Sequence, residues 1–242
     1  MAVLLSDNGS AFPVLSGPYA DGGIEAITIL RELKTQHVLR AYKPSACLGA
    51  ASSVSALGSA MAWRSALDME YDAMCRQTKE QIPPLSPSTP GIVGYRQASH
   101  VRATYRRATA ADLDELYPLA AAYEKSEVMT PIHVFDPSSC RAAQARSLAS
   151  QVVFVAIVHG NIVARAQTNA RGWSTDQIGG VYVKQEFRGL GIGRGVVDSL
   201  VSDIAGHNRH VSLFVKKTNS VALSLYRSMG FCTVCDYRVS YF

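Results

Sequence analysis

The sequence lacks the segments that would carry it out of the cytoplasm or into a membrane. Its N-terminus has no basic start, continuous apolar stretch or small-residue cleavage site of the kind that marks a signal peptide. Residues 44–63 contain no charged side chain, but five serines and two glycines keep their mean apolarity below that of a membrane-spanning helix. We therefore expect a soluble, cytoplasmic protein in which this window is a buried segment.

Cysteine is scarce, and its placement does not indicate a disulfide framework or a metal site. The cysteines are odd in number and scattered along the chain, at Cys47, Cys75, Cys140, Cys232 and Cys235. The last two form a C-x-x-C pair, but no second pair or nearby histidine completes a zinc set. We expect free thiols and no bound metal.

Long runs of one charge are also absent. The first hundred residues contain equal numbers of acidic and basic side chains, so the whole net charge of +5 lies beyond residue 100. Several of the cations there lie in or near a glycine-rich segment over residues 188–194, namely Lys184, Arg188 and Arg194, and Lys216 and Lys217 come later. This placement favours a small polyanionic ligand over nucleic acid, because there is neither a long basic run nor an RNA-binding signature.

The composition supports a folded chain of one or two domains. Of the 242 residues, 48% are apolar and 18% are charged, a balance typical of a chain with a sizeable buried core. Prolines between residues 83 and 90, followed by a glycine, can continue neither a helix nor a sheet, so we place a domain boundary there. The prediction is a smaller N-terminal α/β region over residues 1–90 and a second domain over residues 91–242.

The N-terminal region carries weak structural signals. Glycine and proline punctuation predicts a loop over residues 1–20, and the apolar spacing predicts a helix near residues 24–35. Residues 51–66 are compatible with a helix and residues 67–75 with a strand.

Beyond the boundary, the pattern predicts strands and helices in alternation. Thr109 and Asp112 resemble a capping box at the start of a helix, in which Pro118 predicts a kink or an early end. Asp136 and Pro137 are typical of the start of a second helix. The other predicted elements are an edge strand over 100–107, a hairpin over 152–168, strands over 177–183 and 211–215, helices over 195–205 and 221–229, and a final antiparallel pair over 231–235 and 237–241.

A predicted strand is linked to a predicted helix by the segment Arg188-Gly189-Leu190-Gly191-Ile192-Gly193-Arg194. Glycines at this spacing let main-chain N–H groups turn towards one point, and the helix start adds unpaired N–H groups and the positive end of its dipole. The segment therefore predicts a cradle for a phosphate or pyrophosphate. Neither the Gly-Lys-Ser/Thr of a P-loop nor the acidic residue of a dinucleotide-binding fold stands at the required spacing.

A second segment follows the glycine loop, with the pattern Asn219-x-x-Ala222-x-x-x-Tyr226-x-x-x-Gly230-Phe231. Taken with Arg188-x-x-Gly191-x-Gly193, it resembles the GNAT family of acetyl-CoA-dependent N-acetyltransferases over about residues 100–242. The resemblance implies an α/β (α+β) fold, with a mixed, mostly antiparallel sheet flanked by helices. It also implies direct transfer of an acetyl group from acetyl-CoA to a primary amine on a small molecule or a peptide.

The resemblance further implies roles for individual residues. The main chain of Val181, Tyr182 and Val183 would pair with the pantetheine arm of acetyl-CoA and polarise the thioester carbonyl. The main-chain amides of Gly189, Leu190, Gly191, Ile192, Gly193 and Arg194 would hold the pyrophosphate, with Arg188 in the same loop. Asn219 would contact the cofactor or an ordered water. Tyr226 would protonate the departing thiolate, which a neutral phenol can do because its pKa of about 10 is close to that of a thiol.

Some of these residues keep a second interpretation. Tyr226 also fits a core tyrosine, Asn219 a simple helix cap, and Arg188 the partner of a surface carboxylate. Many members of the family carry an acidic residue in the strand before the glycine loop, but Gly179 and Gly180 occupy the centre of that strand here.

The general base is not assigned from the sequence. Asp176 and Glu186 lie near the glycine loop, and Glu124, Glu127 and His133 fall where the family's first helices shape the acceptor site. Each fits a structural or solvated residue better than a catalyst, and a water chain or an amine arriving neutral would serve equally well.

Other functions and arrangements stay open at this point. A non-catalytic acyl-CoA-binding regulatory module is the alternative to an enzyme, and a nucleic-acid-binding role comes third. Residues 1–90 fit either a degenerate acetyltransferase-like half or a cap over the acceptor site. A homodimer is also left open.

Overall fold

The computed structural model describes residues 2–7, 9–15, 20–33, 42–76, 101–131 and 134–242. Contacts between Cα atoms divide the chain into two units. One comprises Met1–Met74 together with Phe214–Phe242, and the other comprises Cys75–Leu213. The predicted boundary after residue 90 lies outside the described residues and stays a prediction.

Strands and helices alternate through most of the chain. In order they are β1 (Ala2–Leu5), β2 (Ser10–Val14), α1 (Ile24–Leu33), β3 (Ala46–Ala50), α2 (Ala51–Met61), β4 (Leu67–Arg76), β5 (Thr104–Arg107), α3 (Leu113–Tyr123), α4 (Pro137–Ser150), β6 (Val153–Val158), β7 (Asn161–Arg171), β8 (Thr175–Val183), α5 (Ile192–Gly206), β9 (His210–Lys216), α6 (Ser220–Ser228) and β10 (Cys232–Tyr241). A turn of π-helix, Glu124–Val128, continues α3, and a turn of 3₁₀-helix, Gln185–Phe187, follows β8.

The unit of residues 75–213 is built on a sheet with the strand order β9-β8-β7-β6-β5. The pairs β5/β6, β6/β7 and β7/β8 are antiparallel, and β8/β9 is parallel. Helix α3 contributes Leu116 and Leu119 to a core with Val153, Val155 and Ile162 of the sheet. A mixed, mostly antiparallel sheet flanked by helices is therefore confirmed.

The other unit contains the strands β1-β2-β3-β10-β4 in that order. Strands β1 and β2 are antiparallel, β2 and β3 are parallel, and β3 and β10 are antiparallel. Its core includes Leu30 of α1 and Leu57 of α2, both fully buried. Each helix thus buries an apolar face, which is what stabilises short helices in a folded protein.

The predicted helix starts and the predicted hairpin are confirmed. The main-chain N–H of Thr109 donates to Asp112 Oδ2 at 2.7 Å, which completes the capping box. Asp136 accepts from the N–H groups of the first turn of α4. His159 and Gly160 both have positive φ in the tight turn between β6 and β7, as the favoured two-residue hairpin turns require.

Three expectations from the sequence are wrong. Residues 1–20 contain β1 and β2 rather than only loop. Pro13 is tolerated inside β2 because the parallel pairing with β3 covers only Ser10 and Ala11, so Pro13 lies beyond it. Helix α3 continues past Pro118, so the expected early end is wrong, while the kink stays a prediction. Pro118 and Asp114 are both exposed, so water can hydrate the Asp114 carbonyl, to which Pro118 cannot donate.

The third error concerns the C-terminus, where β10 is one continuous strand and not an antiparallel pair. The expected break near Asp236 does not occur, because the residues after it are held extended by pairing with a neighbouring strand; the exposed carboxylate of Asp236 also binds Lys217 Nζ at 2.5 Å. Residues Tyr237 to Tyr241 pair with β3.

Among the helices in the described ranges, none combines the length and the apolarity that a membrane crossing requires.

Candidate functional site

The end of β8 is the first part of the candidate site, and it is bent by a β-bulge. The pairing register between β7 and β8 shifts there, because Gln167 lies opposite Gly179 whereas Arg165 lies opposite Tyr182. Two residues of β8 therefore face one residue of β7, which locally disrupts the ladder and bends the strand. Gly180 lies in the bulge with a φ of +57°, a conformation that side-chain-bearing residues rarely adopt.

The outer edge of β8 is available for further main-chain pairing. Strand β9 pairs with β8 only from Thr175 to Ile178. In the described part of residues 75–213, no strand pairs with that edge between Gly179 and Val183. The main chain of Val181, Tyr182 and Val183 is thus placed where the resemblance requires an unpaired edge for the pantetheine arm.

The glycine loop leads directly from β8 into α5. Gly189 and Gly191 have φ values of +76° and +77°. A Cβ atom added at either position would have no heavy atom within 4 Å, so the space above both residues is open. The residue before the first turn of α5 is Gly191, which has no side chain to cap the N–H groups of that turn.

This loop fits a pyrophosphate. An anion at the start of a 15-residue helix meets main-chain N–H donors and the positive end of the helix dipole. Two left-handed glycines leave room for it to approach the main chain. Gly189, Leu190, Gly191, Ile192, Gly193 and Arg194 form one continuous segment here, as predicted.

Arg188 is held back against the end of β8. Its Nε donates to the main-chain oxygen of Val183 at 3.1 Å, and its guanidinium lies 5.4 Å from the centre of the Tyr182 ring. The surface-carboxylate alternative has no support among the described residues, since no acidic partner is recorded for this side chain. These contacts fix the path of the loop as it leaves the strand.

Asn219 and Tyr226 belong to the other unit. The side chain of Asn219 caps α6, accepting from the N–H of Ala222 at 3.0 Å. Tyr226 is 7% exposed, and its ring packs edge-on against Phe231 with 5.7 Å between the ring centres. The helix cap, which was one interpretation of Asn219, is therefore present, and Tyr226 lies mostly inside the fold.

A buried polar cluster beside the bulge was not identified from the sequence. Arg165 is 3% exposed, its Nη1 donates to Gln144 Oε1 at 2.5 Å, and its Nη2 donates to Gln167 Oε1. Burial raises the pKa of the nearby Tyr123 phenol, while a hydrogen bond from the main chain of Gly180 and the charge of Arg165 lower it. The alternation of Arg165 and Gln167 along β7 was visible, but it is equally typical of a solvated strand face.

Side chains of β7 occupy the space beside Gly179 and Gly180 of β8. A Cβ on Gly180 would lie 2.9 Å from Arg165 Nη2, and one on Gly179 would collide with the side-chain amide of Asn169. The family's acidic position is thus filled by polar side chains that reach across from β7.

The acidic residues considered as bases have different surroundings. Asp176 is 1% exposed and binds Arg209 Nη2 at 2.6 Å, so it is a structural ion pair. Glu186 is exposed on the turn after β8. Glu124 and Glu127 are half-buried in the π-helical turn after α3, and His133 lies outside the described residues.

The thiol of Cys140 is buried and lies beside Glu124, and both features raise its pKa. Burial, and then a hydrogen bond to Glu124, raise the pKa of the Cys140 thiol to about 11. Neither this thiol nor the others resemble a metal site, since the described residues contain no group of three His, Cys, Asp or Glu side chains that could hold an ion.

Residues 113–231 match the model of the acetyltransferase (GNAT) family. No curated protein matches the sequence of this chain.

Solved structures with a similar fold include acetyltransferases. A GNAT-family acetyltransferase from Colwellia psychrerythraea matches 99% of this chain and 80% of its own, with a TM-score of 0.63 and 13% identity. A Drosophila protein matches 96% of this chain and 70% of its own, with a TM-score of 0.60 and 13% identity. A GNAT-family protein from Novosphingobium aromaticivorans matches 73% of this chain and 65% of its own, with a TM-score of 0.53 and 18% identity. This chain thus spans about two thirds of that protein's length. At these identities the likeness concerns the fold.

Proposed function

The chain belongs, through residues 113–231, to the GNAT family of acetyltransferases, and on this premise we propose that it transfers an acetyl group from acetyl-CoA directly to a primary amine. The family uses acetyl-CoA as its co-substrate. The amine is proposed to be on a small molecule or a peptide.

The glycine loop is the observation that carries this proposal. Its open, uncapped helix start suits the pyrophosphate of coenzyme A, and it follows directly on the unpaired edge of β8. We assign the pyrophosphate to the amides from Gly189 to Arg194, and the pantetheine arm to the main chain of Val181, Tyr182 and Val183. The thioester is then close to the bulge at Gly180.

Acetyl-CoA supplies the acetyl group as a thioester; a C–N bond to the amine forms, the C–S bond breaks, the amine loses a proton and the sulfur gains one. We propose that Tyr226 donates the proton to sulfur. A phenol with a pKa of about 10 is protonated at neutral pH and is still a fair donor to a thiolate. No side chain is assigned as the base, because an amine that arrives neutral needs only water to take its proton.

The cysteines support a reducing location. Two of them, Cys232 and Cys235, are exposed thiols that form no disulfide. Exposed thiols that remain free are typical of proteins in the cytoplasm, where we propose that the enzyme acts.

A second candidate is a non-catalytic acyl-CoA-binding module. The observation that favours it is the pair of glycines, Gly179 and Gly180, in place of a carboxylate on β8. Such a module would bind acetyl-CoA without releasing CoA in the presence of any amine.

Calorimetric titration with acetyl-CoA tests the assignment of the cradle. We expect one molecule to bind per chain with a favourable enthalpy, as hydrogen bonds to phosphate oxygens predict. Acetyl phosphate, which lacks the pantetheine arm and the nucleotide, serves as the control and should bind far more weakly. If acetyl-CoA at millimolar concentration does not bind, both the enzyme and the binding module are excluded.

A further inference from the structure

The guanidinium of Arg165 is a buried charge without a counterion. Among the described residues, no carboxylate pairs with it, and its hydrogen bonds go to the amide oxygens of Gln144 and Gln167. Removing a cation from water costs several kcal/mol unless an opposite charge compensates. Burial lowers the pKa of Arg165 to about 10, so it is still charged at neutral pH.

Two donors in the same cluster have no acceptor. Within the described residues, Arg165 Nε and Gln144 Nε2 are both buried and make no hydrogen bond. Gln144 Oε1 is bonded to Arg165 Nη1, so the two orphaned donors belong to side chains that touch each other. Buried donors without partners are uncommon in folded proteins, and they mark places where an acceptor is missing.

The missing partner has the chemistry of a carboxylate. The Nε–H of the Arg165 cation and the NH2 group of Gln144 can each donate to one of the two oxygens of a carboxylate, whose negative charge would compensate the guanidinium. A phosphate would bring a third oxygen and more charge, but the two Nη atoms are already bonded to glutamine oxygens.

The position of the cluster links this carboxylate to the acceptor. Arg165 is the cross-strand partner of Tyr182, and its Nη2 lies against the Gly180 bulge, next to the strand segment that we assign to the thioester. The rim of the cluster is accessible, since Tyr123 and Gln167 are half-buried.

Both signs of charge act on Tyr123. Burial is the main cause that raises the pKa of its phenol, the charge of Glu127 raises it further, and the charge of Arg165 lowers it. A cation and an anion in the surroundings of one side chain are compatible with a zwitterionic ligand.

We propose that Arg165 and Gln144 bind the carboxylate of the acceptor, so that the amine acetylated by this protein is that of an amino acid. The inference rests on the proposed function and narrows its substrate class. Arg165 acts here by holding the acceptor, and its own bonds to Gln144 and Gln167 hold the guanidinium in place.

The wild-type protein provides the first test. Rates of CoA release are compared for matched acceptors that differ only at the carboxylate, such as glycine with glycinamide and L-alanine with L-alaninamide. We expect kcat/KM to be higher for the amino acid by about tenfold or more, as a charge-assisted hydrogen-bonded contact predicts. Equal or faster reaction of the amides overturns the proposal, and it leaves the acetyltransferase assignment intact.

Variants then test whether Arg165 causes the preference for the amino acid over its amide. Arg165→Gln should raise KM for glycine strongly, leave KM for glycinamide and the affinity for acetyl-CoA nearly unchanged, and so abolish the preference. Arg165→Lys keeps the positive charge but loses the planar guanidinium, so it should recover part of the preference for glycine. Arg146→Gln is the matched control, since Arg146 is exposed on the same helix as Gln144 and its loss should change neither KM. Equal loss with glycine and glycinamide in Arg165→Gln would indicate a structural role only and contradict the proposal.

If no amine is acetylated, ligand binding tests the proposed carboxylate site instead of turnover. In that case the proposed enzyme fails, and glycine and glycinamide are titrated into the CoA-bound protein by ligand-observed NMR. The carboxylate site is supported if the wild type binds glycine but not glycinamide and if Arg165→Gln no longer binds glycine. Absence of glycine binding to the wild type overturns it.

Discussion

Replacing Tyr226 by phenylalanine is expected to lower kcat by about 10²-fold or more while acetyl-CoA affinity changes less than twofold. General acid catalysis contributes on this scale, and the substitution removes only the hydroxyl that we propose as the proton donor. The ring and its edge-on contact with Phe231 are kept, so the α6 segment should retain its packing. Steady-state CoA release and calorimetry with acetyl-CoA measure the two quantities.

Tyr237→Phe is the matched control for this experiment. Tyr237 also packs against an aromatic ring, with 4.2 Å between its centre and that of Phe214, but it has no proposed role in the reaction. Loss of its hydroxyl should leave kcat as it is. A Tyr226→Phe protein with wild-type turnover would show that Tyr226 is a core residue and that the proton comes from elsewhere.

Gly191→Ala is expected to weaken acetyl-CoA binding by at least about tenfold. The new methyl group would enter the open space over the first turn of α5, where we place the pyrophosphate. The residue must also keep a φ of +77°, which costs an L-amino acid about 1–2 kcal/mol and favours a rearranged loop. Calorimetry measures the affinity, and thermal unfolding measures the strain.

Gly160→Ala separates strain from binding. Gly160 has a φ of +82° in the β6–β7 turn, and a Cβ added there also meets no heavy atom within 4 Å. Both alanine variants should therefore lose similar stability, but only Gly191→Ala should lose acetyl-CoA affinity. Unchanged affinity in Gly191→Ala would remove the loop from the cofactor site.

The glycine loop and the helix cap of the candidate site could be predicted from the sequence because both are local features. The loop depends on glycines next to each other in the chain, and the cap at Asn219 depends on a side chain three residues before its donor. The hairpin at His159 and Gly160 is similarly set by neighbouring residues. Patterns of this kind do not require knowledge of the tertiary fold.

The buried cluster could not be predicted in this way. Arg165 reaches Gln144 of α4 across 21 positions of sequence, and it is buried in a strand against which α3 also packs. On an uncovered strand Arg165 and Gln167 would be ordinary surface polar side chains. The sequence shows the pair Gly179 and Gly180 only as a missing acid, whereas the structure gives Gly180 a φ of +57° in the bulge and places side chains from β7 beside both residues.

The strands at the two ends of the chain illustrate a different limit. Pro13 favoured a loop, yet it lies in β2 opposite Val3 of β1, beyond the residues of β2 that pair with β3. Strand β10 continues through Asp236 because the residues that follow pair with β3. In both places tertiary contacts override local propensity. The role of residues 1–90 and the homodimer stay open.

Mass spectrometry of a reaction with isotopically labelled acetyl-CoA tests the central claim most directly. The amine panel should include amino acids, their amides, polyamines, aminoglycosides and peptide N-termini. The account predicts one labelled acetyl group on the amine for each CoA released, with no label on the protein. Release of CoA without an acetylated amine, a labelled protein intermediate, or binding of acetyl-CoA without turnover on any amine would contradict direct acetyl transfer.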